Sequence, residues 1–259
     1  MSTSQKWFAI RRKTAQAAAA AGVLSAAEIL IYGDIGESWW DETTSARDFV
    51  AELQALDVQA ITVRINSLGG SVPDGLAIYN AMKRHPATIT TEIDGMAFSI
   101  ASLIALGGDK VCMAENAVFM VHAPWTYTGG NAAELRATAD QLDTWAAPMT
   151  TSYARKTGKA AEVSALLADG KDHFYTAAEA LAMGFVDSIT DATPAVEAAL
   201  RDMPVSRYRS LPAAVLRAAG LPAAAAAQSA PEEDSMKKNR IAHAVVQNAI
   251  GASGAADAG

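Results

Sequence analysis

Ser99, His122 and Asp172 are of the types that together activate an alcohol for attack on a carbonyl. A serine hydroxyl is a weak nucleophile at neutral pH and needs a base within hydrogen-bond reach. An imidazole acting as that base needs a carboxylate to hold its tautomer and stabilise its cation. Ser99 lies in GMAFSIASLIALGG (95–108), between TITTEIDG (88–95), rich in Ile and Thr, and an apolar run broken only by Ser102 before Gly107. The pattern predicts a buried strand with its turn, followed by a buried helix closed by a glycine cap at Gly107. A serine at that junction points its Oγ out of the turn, beside the free N–H groups of a helix N-terminus. A serine that merely caps a core helix fits the same pattern, and the local sequence leaves both readings open.

His122 closes the apolar strand AVFMV ahead of Ala123 and Pro124, where an imidazole is an unusual choice. A packed histidine held by one backbone contact is the alternative. His85 follows a helix and is expected in solvent, His243 lies near the C-terminus, and His173 abuts Phe174 and Tyr175 and is expected to alternate outward. Asp172, between a helix and HFY, is the candidate carboxylate, whereas Asp169 precedes Gly170 and reads as a turn residue. A structural salt bridge is the alternative for either. NSLGGSV (66–72) supplies a glycine pair straight after a strand, and the Gly70 and Ile100 N–H groups are the candidate oxyanion donors. The segment lacks the lysine of a phosphate-binding loop and the spacing of a dinucleotide fingerprint, so no cofactor is expected.

These residues need a scaffold, and the chain predicts one. EILIYGDI (28–35) and QAITVRINS (59–67) read as strands; 41–56 and DGLAIYNAMKRH (74–85) read as helices, the second starting at Asp74 and stopping before Pro86. Strand, helix and strand recur at crossover spacing, which predicts an α/β fold with a mostly parallel sheet. VCMAENAVFMVHAP (111–124) follows, then a helix over 131–156, a shorter one in AAEVSALLADG (160–170), DHFY, the helix TAAEALAMG (176–184) and FVDSIT (185–190). Residues 1–27 read as a basic, alanine-rich helical arm rather than a secretion signal, because AQAAAAAG lacks leucine and leads into a strand. Residues 191–259 hold five prolines, alanine runs and few large apolar residues, and read as a flexible extension.

Composition narrows the class. With 51% hydrophobic residues the 259-residue chain has ample material for a core, and its net charge of −7 argues against nucleic acid as a partner. The lone Cys112 permits no intramolecular disulfide and no cysteine metal cluster, which fits a reducing cytoplasm; no metal is expected. The longest apolar run, 96–108, is too short to span a bilayer, so no membrane partner is expected.

INSLGGSV, DGMAFSIAS, FMVHAP and DHFYTAAEALAMGFVDSI resemble, in order over residues 28–190, the successive motifs of the Clp protease proteolytic subunit family. The resemblance implies a ClpP/crotonase-like spiral of repeated β-β-α units with a protruding handle helix at 131–156. It also implies Ser99 as nucleophile, His122 as base, Asp172 as triad aspartate, Gly70 and Ile100 as oxyanion donors, and heptameric rings of a homo-oligomer acting on protein or peptide substrates. An unfolding ATPase of the Clp type is the partner the family implies. Leu68 stands where the family has proline, Ala123 where it has Gln, and Phe98 precedes the serine. VHAPW, with Trp125 and a Gly-Gly loop, is more similar to the phage-encoded branch, which implies capsid or scaffold proteins as partners in the host cytoplasm and argues against dependence on an ATPase. The expected activity is that of a serine endopeptidase. Its rivals are a non-catalytic ring or scaffold protein that keeps the fold, and a crotonase-fold acyl-CoA enzyme, which would place a carboxylate where Ser99 sits. A serine–lysine dyad is disfavoured because no lysine with a matching role lies near either motif.

Overall fold

Short strand-forming segments alternate with apolar or amphipathic helices, and each finds its place in one layered α/β unit. The computed structural model describes residues 7–14, 19, 20, 22, 25–36 and 45–191. Strands β1 (Phe8–Arg12), β2 (Ala26–Tyr32), β3 (Ala60–Ser67), β4 (Thr88–Phe98), β5 (Lys110–Ala114), β6 (Val118–Val121), β7 (His173–Thr176) and β8 (Ser188–Thr190) are interleaved with helices. The helices are α1 (Ala46–Gln54), α2 (Val72–Arg84), α3 (Ile100–Ala105), α4 (Ala132–Thr157), α5 (Ala160–Ala168) and α6 (Ala177–Met183).

The sheet runs β1-β2-β3-β4-β5-β8, with β6 paired to β4 and β7 to β6. Pairing is parallel from β2 through β5 to β8 and between β4 and β6; only β1 and β7 run antiparallel to their neighbours. This is the mostly parallel α/β spiral expected from the sequence. Strand β4 is its pivot. Thr90 to Ile93 pair with β5, whereas Met96 to Phe98 pair with β6 on the same edge, so the sheet divides there. Helix α3 lies under the division with all six residues buried. Helix α4 behaves differently: from Ala132 to Pro148 none of its residues is buried, and it is anchored only through Met149, Ser152 and Tyr153.

Several local expectations change. Residues 8–12 form a strand antiparallel to β2 rather than part of a helical arm, because Trp7 and Phe8 pack their rings on Phe49 of α1 at 5.6 and 5.1 Å. Helix α2 starts at Val72, not Asp74; Ser71 caps it, its Oγ accepting from the Asp74 N–H at 3.4 Å. Gly95 does not turn the chain, and β4 continues to Phe98. Nor does Gly107 cap α3, which ends on a right-handed Leu106. The segment 111–124 divides into β5 and β6. The extension at 191–259 lies, from residue 192 onward, outside the described residues, as do residues 1–6, 15–18, 21, 23 and 24 of the N-terminal arm.

Asp187 ties the anchored end of α4 to the sheet. Its carboxylate accepts from the Val111 N–H at 2.7 Å and from Lys156 Nζ at 2.6 Å. Burial alone would raise its pKa, but the Lys156 ammonium and the Val111 N–H outweigh that and hold it below the usual carboxylate range. A depressed folded-state pKa contributes stability that is complete above the unfolded value of about 4 and is lost as pH falls through the folded value. Asp187→Asn is therefore expected to lower stability at neutral pH and to flatten its loss as pH falls below about 4, as measured by denaturant titration from neutral pH downward.

Candidate active site

Strand β4 passes into α3 through one residue, Ser99, with no loop between them. The reversal forces Ser99 to φ 54°, ψ −129°, the one positive φ among the described non-glycine residues. Its side chain makes no capping hydrogen bond to the helix, so the capping alternative does not hold. The Oγ lies instead 2.7 Å from His122 Nε2.

Two glycines make room for this turn. A Cβ on Gly69 would come within 2.7 Å of Ser99 Cβ and 2.8 Å of the Phe98 carbonyl oxygen, and Gly69 itself has φ +96°. A Cβ on Gly75 of α2 would stand 2.1 Å from Ile100 Cγ1, so α2 can press against the first turn of α3 only through a glycine. The Ser99 backbone is fixed at both ends: its N–H donates to the Met120 carbonyl of β6 at 3.1 Å, and its carbonyl accepts from the Ser102 N–H at 3.0 Å.

His122 is the first residue past β6 and only 7% exposed. Its Nδ1 lies 2.8 Å from Asp172 Oδ1. The sheet register explains that meeting. Val121 pairs with His173 in the antiparallel β6–β7 ladder, so the next residues outward, His122 and Asp172, face one another. Ser99, His122 and Asp172 thus form one hydrogen-bonded line, drawn from three elements at the carboxyl ends of β4 and β6.

Beyond Ser67 the chain runs alongside Ile35. The Ile35 N–H donates to the Gly69 carbonyl at 2.8 Å, and the Ile35 carbonyl accepts from the Ser71 N–H at 2.9 Å. In such a parallel bridge Gly70 keeps its own N–H off the Ile35 side and directs it toward the β4 edge, where Ser99 stands. The Ile100 N–H opens α3 and has no carbonyl one turn earlier within the helix to receive it. Ser67, buried, locks this loop: its Oγ donates to the Gly33 carbonyl at 2.5 Å and accepts from the Gly69 N–H at 3.1 Å.

The other histidines fall elsewhere. His173 Nε2 is 2.9 Å from Asp169 Oδ1, and Asp169 also accepts from the Lys171 N–H, the turn role expected of it. His85 is not solvated as expected; its Nε2 meets the Leu53 carbonyl at 3.1 Å and its Nδ1 accepts from the Ala87 N–H, so it is a structural link between α1 and α2. His243 lies outside the described residues. Ser67, Gly69 and Tyr153 are participants that the sequence reading missed. Only Ser67 and Gly69 left a signal, a buried polar position closing a strand and the first glycine of a pair.

A hydroxyl, an imidazole and a carboxylate in line, next to unengaged backbone N–H groups, are the equipment of a serine-type acyl-transfer enzyme. Comparison with known sequences narrows that class. The Clp protease family profile matches residues 13–193. The chain is 34% identical over 157 residues to the ATP-dependent Clp protease proteolytic subunit 2 of Thermobifida fusca (strain YX), covering 58% of this chain and 77% of the relative. It is 34% identical over 164 residues to proteolytic subunit 3 of Streptomyces coelicolor (60% and 75%), and 33% identical over 167 residues to the proteolytic subunit of Streptococcus suis (59% and 81%). The chain belongs to the Clp protease family and is a serine peptidase.

Gly69→Ala tests the close approach at Ser99. The added methyl must displace backbone or the serine itself, and a misplacement of about 1 Å can cost on the order of a hundredfold in rate. Peptide hydrolysis by the variant is expected to fall by that order, with thermal unfolding recording a loss of about 1–3 kcal/mol for the overpacked site.

Proposed function

We propose that the chain is a serine endopeptidase in which Ser99 attacks the peptide carbonyl, His122 takes its proton, and Asp172 holds the imidazole. The reading rests on the continuous line from Ser99 Oγ through His122 to Asp172, at 2.7 and 2.8 Å. His122 then protonates the leaving amine, and water hydrolyses the acyl-enzyme by the same proton path in reverse. The Gly70 and Ile100 N–H groups stabilise the oxyanion. Replacing Ser99 by Ala should lower turnover by several orders of magnitude. Labelling of the protein with a fluorophosphonate probe, followed by peptide mapping, is expected to modify Ser99 in a manner that requires His122. Undiminished peptidase activity in Ser99→Ala would sink the assignment.

The proposal extends to assembly. Leu135, Leu142 and Trp145 lie at steps of seven and three along the unburied part of α4, a stripe suited to a second copy of the chain. The resemblance to ring-forming proteases supports a homo-oligomer, heptameric in that family, built in part through α4. Light scattering at micromolar concentration is expected to find an oligomer, and a monomer there would overturn the assembly.

VHAPW and the alanine-rich sequence beyond residue 190 support a role in phage head maturation, with capsid or scaffold proteins as substrates in the host cytoplasm. The same likeness favours action without an obligate ATPase, although the relatives are named as ATP-dependent. Trp125 and Tyr127, 46% and 48% exposed and edge-to-face at 5.1 Å, stand a few residues past His122, where a bound protein chain would pass. Among the described residues no helix is long and apolar enough to cross a membrane.

A further inference from the structure

The peptide unit joining Ser99 to Ile100 has its N–H on the site and its carbonyl in the protein interior. That carbonyl accepts from the Ser102 N–H at 3.0 Å and from Ser102 Oγ at 2.6 Å, with the Tyr153 hydroxyl 3.4 Å away. Ser102 has one hydroxyl proton and gives it to the Ser99 carbonyl. In the 2.7 Å contact between Ser102 Oγ and the Tyr153 hydroxyl, the tyrosine is therefore the donor, its one proton forked between Ser102 Oγ and, more distantly, the Ser99 carbonyl at 3.4 Å. Both side chains are wholly buried. Burial drives the Tyr153 pKa well above its ordinary value, so the donor stays protonated.

The orientation of this peptide decides which of its two ends the site meets. At φ 54° and ψ −129° it occupies a region that residues with a Cβ avoid. A half-turn of the following peptide plane would change the Ser99 ψ and the Ile100 φ together. It would bring Ser99 to ψ of about +50°, in the ordinary left-handed region, but would drive Ile100, the first residue of α3, from its helical φ to a positive one that a β-branched residue avoids, so the helix and the hydroxyl groups oppose the flip together. The same half-turn would exchange the two ends of the peptide, presenting the carbonyl to the site in place of the Ile100 N–H. An oxyanion could not bind there.

We propose that Ser102 and Tyr153 form a hydroxyl relay that latches the Ser99–Ile100 peptide with its N–H facing the site, making both residues positioning residues for oxyanion stabilisation. The inference rests on the reading of Ser99 as nucleophile and Ile100 as oxyanion donor. The relay acts twice on one group. It fixes the peptide plane, and by donating to the carbonyl it polarises the peptide and strengthens the N–H at its other end. Because Tyr153 belongs to α4, the anchored turns of the protruding helix reach the oxyanion donor through two hydroxyl groups.

The test uses the full-length protein with Ser102→Ala and Tyr153→Phe, the second removing only a hydroxyl. For each, kcat and KM on a fluorogenic peptide, the rate of fluorophosphonate labelling at Ser99, and Tm are measured. A donor that acts on the developing oxyanion affects the transition state and not substrate binding. Ser102→Ala is therefore expected to lower kcat and labelling about tenfold or more, and Tyr153→Phe about threefold to tenfold, with KM within about twofold of the parent. Parent-like kcat in either variant overturns the relay. So does a loss in which KM rises and Tm falls in step with kcat, since that marks packing alone. Parent protein unlabelled at Ser99 would instead remove the nucleophile reading beneath the relay, and the labelling of the parent separates the two failures.

Discussion

The passage from β4 to α3 in a single residue is the constraint around which the rest of the structure is arranged. A loop would have relaxed the backbone but left the serine loosely aimed. Without one, Ser99 takes a conformation that costs on the order of 1–3 kcal/mol and persists only where its surroundings over-determine it. Here they do: the six residues of α3 are buried, Met120 and Ser102 hold the two backbone ends, and Gly69 and Gly75 leave the space that the turn requires. Burial of Ile100, Leu103 and Ile104 contributes about 1.5–3 kcal/mol each, enough to offset the strain.

The division of the sheet at β4 follows from the same point. Had β5 continued along the whole of β4, no strand end would lie beside Ser99. Because β6 takes over the edge at Met96, its last residue releases His122 next to the serine. The partner of β6 must then bring a carboxylate from the opposite chain direction, which only an antiparallel neighbour can do with one residue to spare. β7 is that neighbour, and its four residues suffice because Thr176 stops it by capping α6 in a reciprocal box with Glu179.

Much of this was legible in the sequence where burial imposes a pattern. Ile61, Val63 and Ile65 alternate along β3 with intervening polar residues, and the glycine pair after them marks the loop. Ser99 and His122 were legible because each ends an apolar segment where a polar side chain stands out, and Asp172 because it stands between a helix and HFY; the structure brings all three into one hydrogen-bonded line. β1 was not, since FAIRR offers too few alternations to outweigh the alanine run beside it. The solvated reading of His85 failed because its partner, the Leu53 carbonyl, belongs to another helix and leaves no trace near residue 85. Ser102 was conspicuous as the one polar residue in an apolar run, but its partner was hidden. What Tyr153 touches depends on where a 26-residue helix comes to rest, and no local pattern carries that information.

Pro148 gives α4 a mechanical character of its own. Lacking an N–H, it removes one rung of the helical ladder one turn before Tyr153, at the boundary between the free and the anchored parts of the helix. The free part, from Ala132, is a lever about 24 Å long at the usual helical rise. A bend of about 10° at the proline would carry its tip by roughly 4 Å, while Met149, Ser152 and Tyr153 stayed in the core. Such a bend would let the tip adjust to whatever it meets, and would spend the movement at the proline before it reached the hydroxyl groups behind Ser99.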